Sequence, residues 1–223
     1  TPPLPSGWAN VHITANGQVH ASTSSHPFEV VQASVEHLMP WLGPAAGNTK
    51  INLVGSGLSQ VAPLFCKFAS SESLAAVIQD GPEVAHCMVP DHQMSTGWTS
   101  IELLSYGTPL HSAISFYVHT VVFVSDLFPP AGPVQGGSLV QVLGHGFRAA
   151  STLQCRFEMS GGIAIARFVS AEHVECAMPS SNSAVTGSLE LSMNGQQFST
   201  SGIAFTYQPV VLISSIFPTS GST

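Results

Sequence analysis

The side chains best able to do chemistry in this sequence are its four cysteines and ten histidines. The cysteines fall at positions 66, 87, 155 and 176, as two groups of two with the same internal spacing of 21 positions. Such thiols can form disulfides, stay as buried free thiols or bind zinc. A structural zinc site needs four ligands, and no histidine recurs beside both groups, so zinc is not expected. The spacing alone leaves disulfides and free thiols open.

The two cysteine groups are separated by an interval of 89 positions, and the same interval relates several other residues and segments of the chain. Pro40, Pro129 and Pro218 obey it, and so do the glycines at 43, 132 and 221. Longer segments match at the same offset, namely LFCKF (64–68) with LQCRF (153–157), AHCMVP (85–90) with VECAMP (174–179), and AISFYV (113–118) with GIAFTY (202–207). A fixed internal interval of this length indicates a repeated structural unit.

The repeat predicts four segments. Residues 1–32 match the C-terminal part of a unit, 33–121 and 122–210 are whole units, and 211–223 match the first strand of a following unit. Because both ends fall inside a unit, we expect the sequence to be a piece of a longer protein.

The composition restricts the classes of partner. Only 8% of the residues are charged, against about 25% in an average soluble domain. The net charge is −7, with only five Lys and Arg, which argues against a phosphate-binding surface and therefore against nucleic acid. No apolar run approaches the roughly 20 residues of a membrane-spanning helix, so membrane insertion by this segment is not expected.

The histidines, serines and carboxylates form no catalytic or metal-binding pattern. At the 89-residue offset His86 aligns with Glu175 and His145 with Ser56, so surface histidines are expected and neither a metal nor a cofactor is. The segments VGSGLS (54–59) and LGHGF (143–147) carry the same turn in both units, without the context of a catalytic nucleophile. The twelve carboxylates are scattered, which disfavours calcium. No enzymatic activity is expected.

Alternation of apolar and polar residues predicts short β-strands throughout. Val140 and Val142 share one face of their segment, and LQCRF and SLELSM place their inward residues alternately at 153, 155 and 157 and at 189, 191 and 193. Asn194-Gly195 indicates a hairpin. LAAVIQ (74–79) is compatible with a short helix, although its counterpart IAIARF (163–168) alternates as a strand does. About seven short strands in about 90 residues predict an immunoglobulin-like β-sandwich.

Five segments follow one another in 124–209: SDLFPPAGPVQGGSLVQVLGHGF, LQCRF, VECAMP, SLELSMNGQQF and IAFTYQP. In this order they resemble the IPT/TIG family, the immunoglobulin-like domains of plexins, growth-factor-receptor ectodomains and several transcription factors. Segment 35–118 resembles the family too, with GNTKINLVGSGL and SYGTPL as departures. The resemblance implies an all-β fold of tandem immunoglobulin-like (IPT/TIG, E-set) β-sandwiches. The acidic charge and the paired cysteines disfavour the transcription-factor branch.

The same resemblance implies how the cysteines pair. It places the two positions of each unit on neighbouring strands, pointing inward, so we expect the disulfides Cys66–Cys87 and Cys155–Cys176. In the chain-entropy model, each disulfide would stabilise its unit by roughly 3 kcal/mol, because it lowers the conformational entropy of the unfolded chain. Two buried free thiols per unit are the alternative. Disulfides would indicate an oxidising compartment.

Apolar residues occupy the predicted joints between units. In SFYVHTVVFVSDLFPP, about six residues separate the last strand of one unit from the first strand of the next, with no Gly/Ser-rich linker. We expect the joint residues to bury area between neighbouring units and to limit bending. They are Val121, Val122, Phe123, Phe128, Pro129, Val210 and Val211. The alternative is that they only complete strands inside each sandwich.

The tryptophans bear on sugar binding, and the hydroxyl-rich segments bear on glycosylation. Trp8, Trp41 and Trp98 are able to stack on a sugar, but we expect them to serve packing because they lie at a domain boundary or at strand entries. No Asn-x-Ser/Thr acceptor for N-linked glycan is present. The cluster ASTSS (21–25) and the pair Pro129-Pro130 are compatible with O-linked sugar, on composition alone.

Together these features predict a non-enzymatic structural segment of a cell-surface or secreted protein, in which tandem domains form a stiff, disulfide-stabilised rod. Its partners would be the neighbouring IPT/TIG domains of the same chain, with other surface proteins or glycans in addition. The Ser/Ala/Pro-rich texture resembles algal surface glycoproteins, and a ciliary or flagellar surface coat is one expected location. The alternatives are a receptor or adhesion ectodomain that binds a protein ligand, and carbohydrate-binding domains beside a secreted enzyme.

Overall fold

The computed structural model describes residues 6–11, 26–61, 63–69, 74–91, 94–110 and 113–221. The chain divides into two compact units, a first unit of Thr1–Trp41 with Ala46–Tyr117 and a second unit of Leu42–Ala45 with Val118–Thr223. Regular structure in the described ranges is β-strand apart from two single turns of 3-10 helix, Leu58–Gln60 and Glu158–Ser160. No helix in these ranges is long and apolar enough to cross a membrane. The predicted all-β class is confirmed, whereas the four-segment division of the chain stays a prediction.

The strands before residue 120 form a ribbon and two sheets. They are β1 (Gly7–Val11), β2 (His26–Val30), β3 (Ser34–Met39), β4 (Leu42–Pro44), β5 (Lys50–Ser56), β6 (Leu64–Phe68), β7 (Leu74–Ala76), β8 (Ile78–Gln79), β9 (Val84–Met88), β10 (Gly97–Ser105), β11 (Thr108–Pro109) and β12 (Ile114–His119). β1 and β2 pair with each other. One sheet has the order β4-β12-β10-β6-β7, with β11 beside β10, and the other has the order β3-β5-β9-β8.

The strands after residue 120 repeat this arrangement as one continuous path. They are β13 (Phe123–Phe128), β14 (Ala131–Pro133), β15 (Leu139–His145), β16 (Gln154–Phe157), β17 (Gly162–Ser170), β18 (His173–Ala177), β19 (Thr186–Ser192) and β20 (Ala204–Gln208). Their order is β13-β15-β18-β17-β16-β19-β20-β14. The path is continuous because β17 pairs with β16 through its first half and with β18 through its second half.

The strand that passes between the two layers is interrupted in the first unit. There β7 pairs with β6 and β8 pairs with β9, with Val77 between them. These two strands cover the segment 74–79 that was compatible with a helix, so the strand interpretation is correct. β-Pairing on both sides satisfies the backbone groups that a helix would have satisfied internally.

The predicted alternation agrees with burial in the second unit. Val140 and Val142 are fully buried, whereas Leu139 and Leu143 on the other face are exposed. The predicted inward residues of β16 and β19 are also buried, namely Leu153, Cys155, Phe157, Leu189, Leu191 and Met193. These side chains form the core between the layers, which is the two-sheet packing expected of the sandwich.

The predicted hairpin at Asn194-Gly195 is wrong. β19 ends at Ser192 and β20 begins only at Ala204, so the Asn-Gly pair begins a long connection. Asn194 is buried, and its Oδ1 atom accepts the backbone N–H groups of residues 196 and 197, both at 3.0 Å, which turns the chain away from a tight hairpin. The two-residue hairpin occurs instead in the first unit at Tyr106-Gly107, where both residues have positive φ and β10 pairs with β11.

Candidate functional site

The four cysteines lie in the cores of the two units. Cys66 in β6 is bonded to Cys87 in β9, and Cys155 in β16 to Cys176 in β18. The Cα–Cα distance is 6.3 Å in both pairs, within the usual range for a disulfide. All four side chains are at most 1% exposed. The two strands of each pair belong to opposite layers, so each bond joins the two layers of one unit.

Aromatic residues fill the core of the second unit. The rings of Phe157 and Phe205 meet edge to face at 5.2 Å, and Tyr207 lies 5.5 Å from Phe205. The Tyr207 hydroxyl lies 3.1 Å from Ser160 Oγ and 3.2 Å from the Pro179 carbonyl oxygen. Burial raises the pKa of Tyr207, so the phenol stays protonated and donates a hydrogen bond. This is the arrangement of a structural tyrosine.

The residues predicted for the joints all belong to the second unit and differ in exposure. Val122 is buried, whereas Val121, Phe123 and Phe128 are exposed; Pro129 is half-buried, and Val210 and Val211 are exposed. The Phe123 ring stacks on His145 at 5.1 Å. Their role at a joint stays a prediction.

Ionisable side chains on the sheet surfaces pair with their cross-strand neighbours. His86 Nδ1 lies 2.8 Å from Asn52 Oδ1, and its Nε2 lies 3.2 Å from Asp80 Oδ2. Arg167 and Glu175 form an ion pair across β17 and β18. In the described ranges, no three His, Cys, Asp or Glu side chains come close enough together to hold a metal ion. These contacts stabilise the pairing of the strands.

Three aromatic side chains form a surface cluster on the first unit, which we call the aromatic platform: Trp41, Trp98 and Tyr117. The two indole rings stack at 5.7 Å with an interplanar angle of 20°. Tyr117 meets Trp98 edge to face at 5.2 Å and lies 6.4 Å from Trp41. Trp41 and Tyr117 are half-buried, but Trp98 remains 63% exposed. Trp41 and Trp98 pack on each other, yet Trp98 still faces solvent, and Trp8, which was also expected to serve packing, is 73% exposed.

The fold holds the platform through neighbouring backbone segments. The Tyr117 N–H in β12 donates to the Trp41 carbonyl oxygen at 2.9 Å. Trp98 is the second residue of β10, which neighbours β12 in the sheet. Tyr117 was missed by the sequence analysis. Its position in ISFYVH held the signal, because alternation places Tyr117 opposite the buried Phe116 and Val118.

The second unit has the same backbone arrangement without the aromatic rings. Thr206 aligns with Tyr117, and its N–H donates to the Pro130 carbonyl oxygen at 3.0 Å, as Tyr117 donates to Trp41. With the one-residue slip between SIELLSYG and SLELSMNG, Trp98 aligns with Thr186. Thr186 and Thr206 are cross-strand partners whose hydroxyl oxygens lie 2.9 Å apart. The platform therefore distinguishes the first unit from the second.

The second unit is thus an immunoglobulin-like β-sandwich whose two layers are joined by one internal disulfide. Residues 123–207 match the family model of the IPT/TIG domain. This part of the chain is an IPT/TIG domain, and the resemblance seen in its sequence motifs is confirmed.

Solved structures of similar fold come from plexin A4. The chain superposes on the full extracellular region with domains 1 to 10 at a TM-score of 0.61, with 21% identity over 93% of this chain. A second structure of that region, with domains 1 to 8, gives a TM-score of 0.52, with 20% identity over 79% of this chain. The match spans 18% of each plexin A4 chain. At these identities the likeness shows the fold alone. A search of curated proteins found no match.

Proposed function

We propose that this chain is a non-enzymatic structural and interaction segment of a cell-surface or secreted multi-domain protein, in which tandem immunoglobulin-like domains form a stiff, disulfide-stabilised rod. The observation that carries the proposal is the repeated cysteine pair, which joins the two layers of each unit at the same relative position. A bond within one unit fixes that unit without depending on a partner. Such a unit can be repeated many times along a chain.

The stiffness of the rod is proposed from the sequence of the joint. Only Thr120, Val121 and Val122 lie between the end of β12 and the start of β13, fewer than the six residues expected from the sequence. A joint of this length lacks the freedom of a Gly/Ser linker, which behaves as a flexible coil. Of the apolar side chains in this joint, Val122 is buried and Val121 is exposed, so the proposed stiffness rests on the shortness of the joint.

Small-angle scattering of the 223-residue chain tests the rod. We expect a radius of gyration clearly above the roughly 17 Å of a compact chain of this length. A variant with about twelve Gly/Ser residues inserted between Thr120 and Val121 is the matched control, and its distance distribution should be broader because the joint becomes flexible. A radius of gyration near the compact value, or identical distributions for the two proteins, would contradict the proposal.

The location outside the cell is proposed from the disulfides and the family. Paired, fully buried cysteines persist where the compartment is oxidising, and the Ser/Ala/Pro-rich composition favours a surface coat, with the ciliary or flagellar surface as the specific proposal. Antibody labelling of the parent protein on intact cells, compared with permeabilised cells, tests this. Labelling only after permeabilisation would place the protein inside the cell and contradict the proposal.

A second candidate function is a binding module, and the platform on the first unit favours it. Tandem domains that serve only as spacers need no surface that differs between them. The exposed Trp98 has no aromatic counterpart in the second unit, where Thr186 occupies the position. A contiguous aromatic surface that is present in one unit and absent from the other is a candidate interaction site.

A further inference from the structure

We propose that the aromatic platform of Trp41, Trp98 and Tyr117 binds a neutral glycan, with one sugar ring stacked on the exposed indole of Trp98. The inference rests on the geometry of the three rings and does not depend on the proposed rod, since a glycan site on the first unit is compatible with a stiff or a flexible chain.

The platform is pre-organised for stacking. Trp41 supports Trp98 from behind at 5.7 Å, and Tyr117 meets Trp98 edge to face at 5.2 Å, so the exposed indole is held by two neighbouring rings. The β10 and β12 strands hold the backbone beneath them. A ligand that stacks on Trp98 therefore orders little new structure, which lowers the entropic cost of binding.

A sugar ring matches the chemistry of this surface. One face of a pyranose carries C–H groups that are apolar and weakly positive, and an aromatic face is negative because of its quadrupole. The rim of the sugar carries hydroxyl groups. The platform itself contains two indole N–H groups, which can donate hydrogen bonds. Apolar rings with a few polar groups at their edges are the usual composition of a small-ligand site.

The size of the platform favours a sugar over a protein partner. Three fully accessible aromatic side chains would present about 450–750 Å², and two of these three are half-buried, which reduces the accessible area well below that. A stable protein–protein interface buries about 800 Å² on each partner. The platform covers the area of one to three sugar rings and is too small to hold a protein by itself.

The charge of the chain favours a neutral glycan over an acidic one. The three platform side chains are uncharged, and the chain carries a net charge of −7 with only five Lys and Arg. A sulfated or uronic-acid polysaccharide would be repelled at long range by this negative field. A neutral polysaccharide experiences no such repulsion.

The test is affinity electrophoresis of the full 223-residue chain in gels that contain a soluble polysaccharide. The neutral panel comprises mixed-linkage β-glucan, xyloglucan, galactomannan and neutral galactan, and alginate is the acidic comparison. We expect at least one neutral polysaccharide to retard the protein. The absence of retardation by the whole neutral panel, or retardation by alginate alone, would overturn the proposal.

Variants taken from the second unit test the assignment to the platform. Trp98→Thr introduces the residue present at position 186, and we expect binding at least about tenfold weaker because the stacking surface is lost. Trp98→Tyr keeps an aromatic face and should retain part of the affinity. Trp8→Ala is the control, since Trp8 is 73% exposed but has Glu29 as its cross-strand partner. Equal affinity of Trp98→Thr and wild type, or loss of binding in Trp8→Ala alone, would overturn the proposal.

A measurement on the wild-type chain keeps the proposal falsifiable if Trp98→Thr fails to fold. Limited oxidation with N-bromosuccinimide, followed by peptide mass analysis, reports the accessibility of each tryptophan. We expect the retarding polysaccharide to protect Trp98 and to leave Trp8 equally reactive. An unchanged oxidation rate of Trp98 at saturating polysaccharide would overturn the proposal. The scattering curve of a folded Trp98→Thr should equal that of wild type, which separates this test from the test of the rod.

Discussion

Glu190 Oε1 lies 2.8 Å from the backbone nitrogen of Gly202 and accepts a hydrogen bond from its N–H group. The other carboxylate oxygen accepts the Ser201 N–H at 2.9 Å and the Ser199 hydroxyl. Glu190 is only 2% exposed, so these donors replace the water that the carboxylate loses on burial. These hydrogen bonds hold the segment that connects β19 to β20 against β19. Ser201 Oγ in turn accepts the Val124 N–H of β13 at 2.8 Å.

Glu190→Gln is expected to destabilise the second unit. The amide nitrogen can only donate, so one of the two oxygen positions would face N–H or O–H donors that lose their acceptor. Loss of a buried, charge-assisted hydrogen bond costs about 1–3 kcal/mol. We expect a lower midpoint of thermal unfolding and faster amide hydrogen exchange at Ser201 and Gly202.

Glu102→Gln is the matched control for this substitution. Glu102 aligns with Glu190 in the first unit, but it is partly exposed and lies 3.7 Å from Lys67 in a surface ion pair. Such pairs contribute about 0–1 kcal/mol. If the two substitutions lower the unfolding midpoint equally, the structural role given to Glu190 is wrong.

Glu190 also shows what sequence alternation can and cannot predict. In SLELSM the inward positions of Leu189, Leu191 and Met193 followed from period two, and the structure agrees. Glu190 lies on the opposite face, where the pattern predicts solvent. It is buried because the connection to β20 folds over that face, and no local pattern encodes a contact between residues this far apart.

The candidate site, like the burial of β19, was predictable from the sequence only in part. The 89-residue offset identified the equivalent cysteine positions of the two units. The pairing itself was implied by the family resemblance, because a repeat fixes equivalent positions and not contacts. The platform was not assembled from the sequence, since Trp41, Trp98 and Tyr117 come from three separate strands or turns and meet only through sheet pairing. The second unit has Pro130, Thr186 and Thr206 at the three equivalent positions, and this difference was visible in the alignment. Only the fold shows that the three positions lie close together.

The two disulfides are expected to form in the oxidised protein and to stabilise each unit. Reduction should increase the mass by four hydrogen atoms, two for each bond. Replacing Cys155 and Cys176 together by alanine should destabilise the second unit by roughly 3 kcal/mol in the chain-entropy model. Calorimetry should show the loss in one of two transitions, and the double substitution at Cys66 and Cys87 should affect the other. An unchanged mass, or disulfide-linked peptides that join the two units, would contradict this pairing.

His119 is expected to make stability depend on pH. The side chain is buried, its Nδ1–H donates to the Thr120 carbonyl oxygen at 2.6 Å, and its Nε2 has no hydrogen-bond partner in the described part of the chain. Burial lowers the pKa of His119 below the usual value of 6.5, and the charge of Arg148 lowers it further. The unfolded chain therefore binds a proton more readily than the folded one. The contribution of His119 to stability is present above about pH 6.5 and is lost as the pH falls through the lower folded pKa.

His119→Gln isolates this contribution, because the sequence repeat places Gln208 at the equivalent position, 89 residues further on. Denaturant unfolding at pH 7.5 and pH 5 should show a smaller loss of stability in His119→Gln than in wild type. The other nine histidines are common to both proteins, so they cancel in the comparison. Parallel stability curves for the two proteins would show that His119 does not titrate between the folded and unfolded states as proposed.

Gly144→Ala is expected to destabilise the second unit, because the backbone of β13 leaves no room for a Cβ atom. A Cβ at position 144 would overlap the Phe123 carbonyl oxygen and lie 2.7 Å from Phe147 Cζ. The two strands approach closely here beside a register shift in β13, between Val124 and Asp126. Relief of the overlap requires backbone movement, which costs about 1–3 kcal/mol.

Substitutions at two further glycines test whether the loss of stability in Gly144→Ala comes from the close approach of two strands. Gly55 occupies the equivalent position in the first unit, where a Cβ would overlap the Ser34 carbonyl oxygen, so Gly55→Ala should destabilise that unit by a similar amount. Gly221→Ala is the control, since apart from its neighbours in sequence no atom of residues 6–221 that the structure describes lies within 4 Å of the added Cβ. We expect thermal unfolding of Gly221→Ala to match wild type. If Gly144→Ala and Gly221→Ala unfold at the same temperature, strand approach does not require glycine, and the close packing of β13 against β15 is not what holds this edge of the sandwich.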